Sequence, residues 1–170
     1  MVSILKNNLE KDIFHIKGDR LVHVLQLANI SKEDPKNYLC ISVSARNDVC
    51  LTWLAVTERK MALKYESRGT WLLKDLTLID GVDQSQDNAF FLLHFNAEIF
   101  TLEAYSTASK YAFLRCLREM STQYLQRELQ WIHFDNDFVG KTSIFVPDDT
   151  VLYVTLCIKA FSCACLCSCI

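Results

Sequence analysis

Residues 38–45, Tyr38-Leu39-Cys40-Ile41-Ser42-Val43-Ser44-Ala45, decide the fold class of this chain. Leu39, Ile41 and Val43 alternate with small or polar residues, which is typical of a half-buried β-strand. Two further β-rich runs follow along the chain, at residues 49–57 and 61–71. Because these runs are separated by short polar turns, they predict successive antiparallel strands.

The same strand pattern extends before and after these three segments. The further strands are predicted at residues 20–30, 76–79, 90–95 and 98–105. Asp80-Gly81 follows one of them and is a strong turn signal. The chain is therefore expected to contain seven strands.

Helical spacing appears at both ends of the strand-rich region. Leu5, Leu9 and Ile13 recur every four residues, which predicts a helix over residues 1–14 that Gly18 ends. Residues 107–129 contain no Gly or Pro and carry apolar side chains at helical spacing. They predict a long closing helix.

The order of these elements predicts an α+β fold. Seven antiparallel strands would form a small, partly open barrel, with an N-terminal helix before it and the long C-terminal helix capping one end. This is the layout of the pleckstrin-homology superfold.

The amino-acid composition excludes one class of function and indicates a cellular compartment. The chain has 170 residues, with 18 Lys+Arg and 20 Asp+Glu, giving a formal net charge of −2. This balance excludes a broadly basic nucleic-acid-binding protein. The N-terminus has no apolar run of signal-peptide length, and the cysteines of the first 150 residues are scattered, so we interpret the body as cytoplasmic with reduced thiols.

A change in composition near Asp135 predicts the domain organisation. After residue 130 the basic residues are Lys141 and Lys159, and residues 151–170 are apolar and rich in Cys. We predict a folded domain at residues 1–135, a linker at 136–150 and an apolar tail at 151–170.

Motifs for catalysis or metal binding are absent from the sequence. It has no Gly-rich phosphate loop, no G-x-S-x-G elbow and no H-E-x-x-H helix. The four histidines lie far apart, and His94, inside an apolar run, is predicted to be structural. We therefore predict a protein that is not an enzyme, with no catalytic residues, no metal and no cofactor.

Short motifs give the chain a resemblance to a known family. They occur in the same order as in the N-terminal domain of exocyst complex component 1, across about residues 1–135. The matching residues are Leu9-Glu10-Lys11-Asp12-Ile13-Phe14, Leu39-Cys40, Lys74-Asp75-Leu76 with Asp80, Leu93-His94-Phe95, Ser106-Thr107-Ala108 with Lys110, Ala112 and Phe113, and Tyr124-Leu125. The chain is most similar to the short exocyst complex component 1-like members of that family.

The resemblance implies a fold and a role. The family's domain has a pleckstrin-homology fold, binds phosphatidylinositol 4,5-bisphosphate, helps bring exocytic vesicles to the plasma membrane and, in fungi, contacts Rho-family GTPases. The implied partners are a phosphoinositide head group, the plasma-membrane surface, and a Rho-family small GTPase or exocyst subunits. The implied location is cytoplasmic, peripheral at the plasma membrane.

A phosphoinositide site requires convergent Lys and Arg side chains. The candidate lipid-binding residues, expected to lie on one rim, are Lys32, Lys36, Arg46, Arg59, Lys60 and Lys64. Such residues are equally typical of solvated turns, and acidic residues lie among them. Glu33 and Asp34 stand in the first loop, where the large animal proteins carry a lysine run, and Glu58 stands in the third strand, where the family alternates lysines. We therefore predict weak binding.

Two other features differ from the family or extend beyond it. Ser109 stands where the family has the Glu of a capping box, so the reciprocal helix cap is expected to be half lost. Residues 151–170 carry one charge, Lys159. This tail is compatible with a weak membrane anchor, with S-acylation, or with a loosely packed terminus. The candidate acylation sites are Cys163, Cys165, Cys167 and Cys169.

Two alternative functions follow from these features. The domain could be a protein-interaction module that has lost lipid binding, with a small GTPase or an exocyst-linked partner. The tail could instead supply the membrane contact of an acylated or tail-anchored peripheral protein.

Overall fold

The computed structural model describes residues 2–29, 35–59, 62–83, 85–86, 88–96 and 98–134, with the backbone alone described at residues 2, 3, 59 and 62. Eight strands occur in these residues. They are β1 (Arg20–Gln26), β2 (Lys36–Val43), β3 (Val49–Arg59), β4 (Ala62–Leu72), β5 (Leu76–Asp80), β6 (Phe90–Phe95), β7 (Ile99–Glu103) and β8 (Gln130–Ile132). The first seven confirm the predicted strands to within a few residues.

The strands form two four-stranded sheets. The first sheet has the order β1-β2-β3-β4 and is antiparallel throughout, while the second has the order β7-β6-β5-β8. β8 pairs in parallel with β5 and was not predicted. The prediction of seven antiparallel strands is therefore incomplete for the residues that the structure describes. The sheets meet at one corner, where the Ala28 amide donates to the Glu103 carbonyl at 2.8 Å and Leu27 forms a bridge with Ala104.

A helix precedes the sheets, as predicted. It runs through Val2–Leu9, a π-helical turn at Glu10–Phe14 and a last α-helical turn at His15–Lys17. It ends at Gly18, whose φ of 76° lies in the left-handed region that favours glycine at a helix end.

The closing helix covers Thr107–Met120 and continues as a π-helical turn at Ser121–Leu125. At its start, Ser106 Oγ accepts from the Ser109 amide and Ser109 Oγ accepts from the Ser106 amide. The prediction of a half-lost cap is therefore wrong, because the short serine hydroxyl reaches the backbone donor that Glu usually satisfies.

The closing helix ends four residues earlier than predicted. Gln126 has a φ of 49° and leaves the helix. The next residue, Arg127, donates to the carbonyls of Lys74 at 3.2 Å and Leu76 at 2.6 Å. This contact with distant backbone fixes the end of the helix, and no Gly or Pro marks it in the sequence.

The main core lies between the two sheets and the closing helix. Leu39 and Ile41 of β2 pack there with Phe91 of β6 and Phe113 of the closing helix. A second cluster lies on the other face of β2, where Leu9 and other residues of the N-terminal helix cover the first sheet. β2 is therefore buried on both faces rather than half-buried, and each large apolar side chain in these clusters contributes about 2 kcal/mol.

Candidate functional site

The strand register brings some of the predicted basic residues together. Lys36 at the start of β2 pairs with Val56 of β3, and Lys64 of β4 pairs with Thr57, the next residue along β3. Arg59, at the end of β3, pairs with Ala62 at the start of β4. We call Lys36, Arg59 and Lys64 the basic rim, because all three lie at the same end of the first sheet.

The dimensions of a sheet set the spacing of the basic rim. Neighbouring strands lie about 4.8 Å apart, so the backbones at Lys36 and Lys64 are separated by about 10 Å. Both lysine side chains are exposed. Because adjacent rows of a sheet project to opposite faces, the two side chains leave the sheet on opposite sides. The two lysines therefore share one end of the sheet but not one face.

Arg46 lies elsewhere. It is in the turn between β2 and β3, at the opposite end of the first sheet from Lys36. β2 has eight residues, which separates the two ends by about 25 Å. In this region burial raises the pKa of the Cys50 thiol, and the nearby carboxylates of Asp19 and Asp48 raise it further. The expectation that all candidates share one rim is therefore wrong for Arg46.

Several candidate sites fall outside the described residues. Lys32 and Lys60 are among them, as are the predicted linker and tail with Cys163, Cys165, Cys167 and Cys169. Arg59 is described by its backbone alone.

Acidic residues accompany the basic rim. Glu58 pairs with Leu63 at the end of β3, and Glu66 pairs with Ala55 two residues further along β4 than Lys64. Among the described residues, no ion pair involves Lys36 or Lys64. The rim therefore presents solvated positive charge that is partly offset by neighbouring carboxylates.

Two polar contacts support the basic rim, and neither was predicted from the sequence. The first is centred on Asn37. Trp53 Nε1 donates to Asn37 Oδ1 at 3.1 Å, and Asn37 Nδ2 donates to the Pro35 carbonyl at 3.2 Å. These bonds tie the start of β2 to the middle of β3. The two residues lie 16 positions apart and form no recognisable motif, so the sequence alone does not single out this pair.

The second contact links the N-terminal helix to β4 beside Lys64. Tyr65 Oη donates to Asp12 Oδ2 at 3.1 Å. Burial and this bond to a carboxylate together raise the pKa of Tyr65 to about 12, so the phenol stays protonated as the donor. The exposed Leu63 lies next to Lys64 and makes this end of the hairpin amphipathic.

The part of the chain that the structure describes offers no metal site, since no three His, Cys, Asp or Glu side chains in it are grouped to hold an ion. Within the same residues, no helix combines the length and the apolar character needed to cross a membrane.

Comparisons with known proteins agree with the fold. The family described as "Exocyst complex component SEC3 N-terminal PIP2 binding PH" matches residues 32–123. Mouse (Mus musculus) "Exocyst complex component 1-like" is 34% identical over 171 aligned positions, covering 99% of this chain and 98% of that protein. Mouse "Exocyst complex component 1" is 25% identical over 141 positions, covering 83% of this chain but 16% of that protein. With an α+β pleckstrin-homology-like domain and a full-length relative above 30% identity, the chain belongs to the exocyst complex component 1-like family.

Proposed function

We propose that this chain is a non-enzymatic exocyst-family module that binds phosphatidylinositol 4,5-bisphosphate weakly at the cytoplasmic face of the plasma membrane during exocytosis. The head group binds at the basic rim, with Lys32 and Lys60 as further contributors from the connections at the same end of the sheet. In this proposal the two sheets form a partly open barrel whose open mouth carries the rim.

The observation that carries the proposal is the strand register, which brings Lys36, Arg59 and Lys64 to one end of the first sheet. The described strand ends that flank the β1–β2 and β3–β4 connections lie at this end as well. The name of the matching family, which includes PIP2 binding, supports the same ligand. Arg46 has no part in the proposed site because it lies about 25 Å away.

Charge arithmetic supports weak rather than tight binding. Each basic residue near an anionic surface contributes about 1 kcal/mol of attraction. The described rim has three such residues, and Glu58 and Glu66 beside them reduce the net positive potential. Binding is therefore expected to depend strongly on salt, because these exposed charges are screened within about 8 Å at physiological ionic strength.

Sedimentation of the full chain with vesicles tests the proposal. Phosphatidylcholine vesicles are compared with and without phosphatidylinositol 4,5-bisphosphate, for the wild type and for a K36Q/K64Q variant. Removing two charges should weaken lipid-dependent binding by about 2 kcal/mol, or about 30-fold. The matched control R46Q removes one charge at the other end of the sheet and should bind like the wild type.

A second function is favoured by the carboxylates beside the basic rim. If the wild type fails to pellet with the phosphoinositide, or if R46Q weakens binding as much as K36Q/K64Q, the lipid proposal is overturned. The mixed-charge surface would then be better suited to a protein partner, such as a Rho-family small GTPase or an exocyst subunit. Affinity capture with the same variants would identify it.

A further inference from the structure

His23 is a half-buried histidine on β1, at the place where both helices meet the edge of the first sheet. Its ring packs against Phe113 of the closing helix, with the two ring centroids 5.9 Å apart. The pairing of β1 with β2 shifts register between Leu21 and His23, so Val22 has no partner residue in β2. The ammonium group of Lys6, on the N-terminal helix, donates to the Val22 carbonyl at 2.7 Å. A positive charge of the N-terminal helix is therefore fixed next to His23.

The surroundings of His23 favour its neutral ring. Burial lowers the pKa of His23 from its ordinary value of 6.5, and Lys6 lowers it further. The closing helix brings two more titratable groups near Lys6, namely Cys116 and Glu119. Burial raises the pKa of Cys116 to about 11, so its thiol stays uncharged at mildly acidic pH. Among the described residues, no carboxylate offsets the effects of burial and Lys6 on His23.

The lowered pKa makes the contacts around His23 weaker in acid. A conformation that exposes the ring to water returns its pKa to about 6.5, so that conformation binds more protons as the pH falls. While the packed ring stays neutral, the equilibrium for exposing it rises about tenfold between pH 7.5 and 5.5. Carboxylates of ordinary pKa, near 4, stay ionised through this range and do not contribute to the change.

The N-terminal helix is the more weakly held of the two helices beside His23. The closing helix places Phe113, Leu114 and Leu117 in the main core, all fully buried. The N-terminal helix buries Leu9 and Phe14 in the smaller second cluster. A helix of this length is marginal in water without its packing surface. Local opening therefore involves the N-terminal helix before the closing helix.

We propose that mild acidification releases the N-terminal helix from the first sheet, with His23 as the group that takes up the proton. The protonated ring and the Lys6 ammonium then repel each other across the edge of β1, and the contact of Lys6 with Val22 is lost. Release uncovers apolar side chains of the first sheet, including Tyr38 and Leu54, which the helix otherwise covers. This device is independent of lipid binding at the basic rim.

Hydrogen–deuterium exchange of the full chain, without lipid, at pH 7.5 and 5.5 tests the proposal. Each amide rate is divided by the intrinsic rate at the same pH, which gives a protection factor. Because the released helix unravels, amides of residues 6–17 should lose about tenfold in protection at pH 5.5. The strands and the closing helix should keep theirs. The variant His23→Phe retains a ring against Phe113 but cannot take up a proton, so its helix should be equally protected at both pH values.

The matched control is His15→Gln, which removes the exposed histidine of the same helix and should keep the tenfold loss. If His23→Phe fails to fold by thermal melting at pH 7.5, His23→Gln replaces it. Unchanged protection of the wild-type helix at pH 5.5 overturns the proposal, as does a loss that persists without His23 or disappears without His15. An equal loss in the closing helix or in the strands also overturns it, because that result indicates general unfolding.

Discussion

Gly81→Ala is the substitution that most directly tests the role of β8. The Gly81 amide donates to the Ile132 carbonyl at 3.0 Å, and an added Cβ would lie 2.2 Å from the carbonyl oxygen of His133. The new Cβ meets main-chain atoms, which cannot shift at low cost as the end of a flexible side chain could. Residues 132–134 must therefore move. The move loses one hydrogen bond, about 1 kcal/mol, and the burial of Phe134, about 2 kcal/mol. We expect a total loss of about 3 kcal/mol.

Urea denaturation of the full chain measures this loss, followed by circular dichroism and by tryptophan fluorescence, to which Trp53, Trp71 and Trp131 all contribute. The control is Gly18→Ala, where the φ of 76° imposes strain but no atom lies within 4 Å of the added Cβ. That control should lose about 1 kcal/mol. A loss for Gly81→Ala no larger than that of the control would show that β8 does not belong to the cooperative fold.

Three other predictions follow from single contacts. Partial burial raises the pKa of Asp80, but hydrogen bonds from His133 and from the Val82 amide lower it more, to a value below the usual 3.8. The contribution of Asp80 to the stability of the fold is therefore present above about pH 4 and is lost as the pH falls further. Asp80→Asn should accordingly lower the urea midpoint more at pH 6 than at pH 3. Ser109→Ala removes the reciprocal helix cap and should cost about 1 kcal/mol, whereas Ser109→Glu should be nearly neutral in the same urea titration. Burial raises the pKa of the Cys40 thiol to about 12, so iodoacetamide at neutral pH should label it only after unfolding, as mass spectrometry of native and denatured samples would show.

Strands and helices could be predicted because their patterns are local. The alternation of Leu39, Ile41 and Val43 fixed β2, and the spacing of Phe113 and Leu117 fixed the closing helix. The position of Arg46 depends instead on the topology of the sheet. In an antiparallel meander, successive turns alternate between the two ends of the sheet, so the β2–β3 turn lies opposite the β1–β2 and β3–β4 connections.

Features that depend on distant contacts could not be predicted. β8 has three residues and no alternating pattern of its own. It forms because it pairs with β5 and because Gly81, which has no Cβ, leaves room for the main chain at His133. The end of the closing helix depends on Arg127, whose guanidinium binds carbonyls about fifty residues away in sequence. The support of the basic rim by Trp53 and Asn37 likewise joins two strands through side chains that carry no local signal.

Mapping of the head-group site by nuclear magnetic resonance tests the central claim most directly. The full chain, labelled with ¹⁵N, is titrated with the soluble head group inositol 1,4,5-trisphosphate at physiological salt. The account predicts that the amides beside Lys36, Arg59 and Lys64 shift, while those of residues 45–48 at the opposite end of the sheet do not. Shifts concentrated at residues 45–48 or on the closing helix, or no shifts at millimolar ligand, would contradict it.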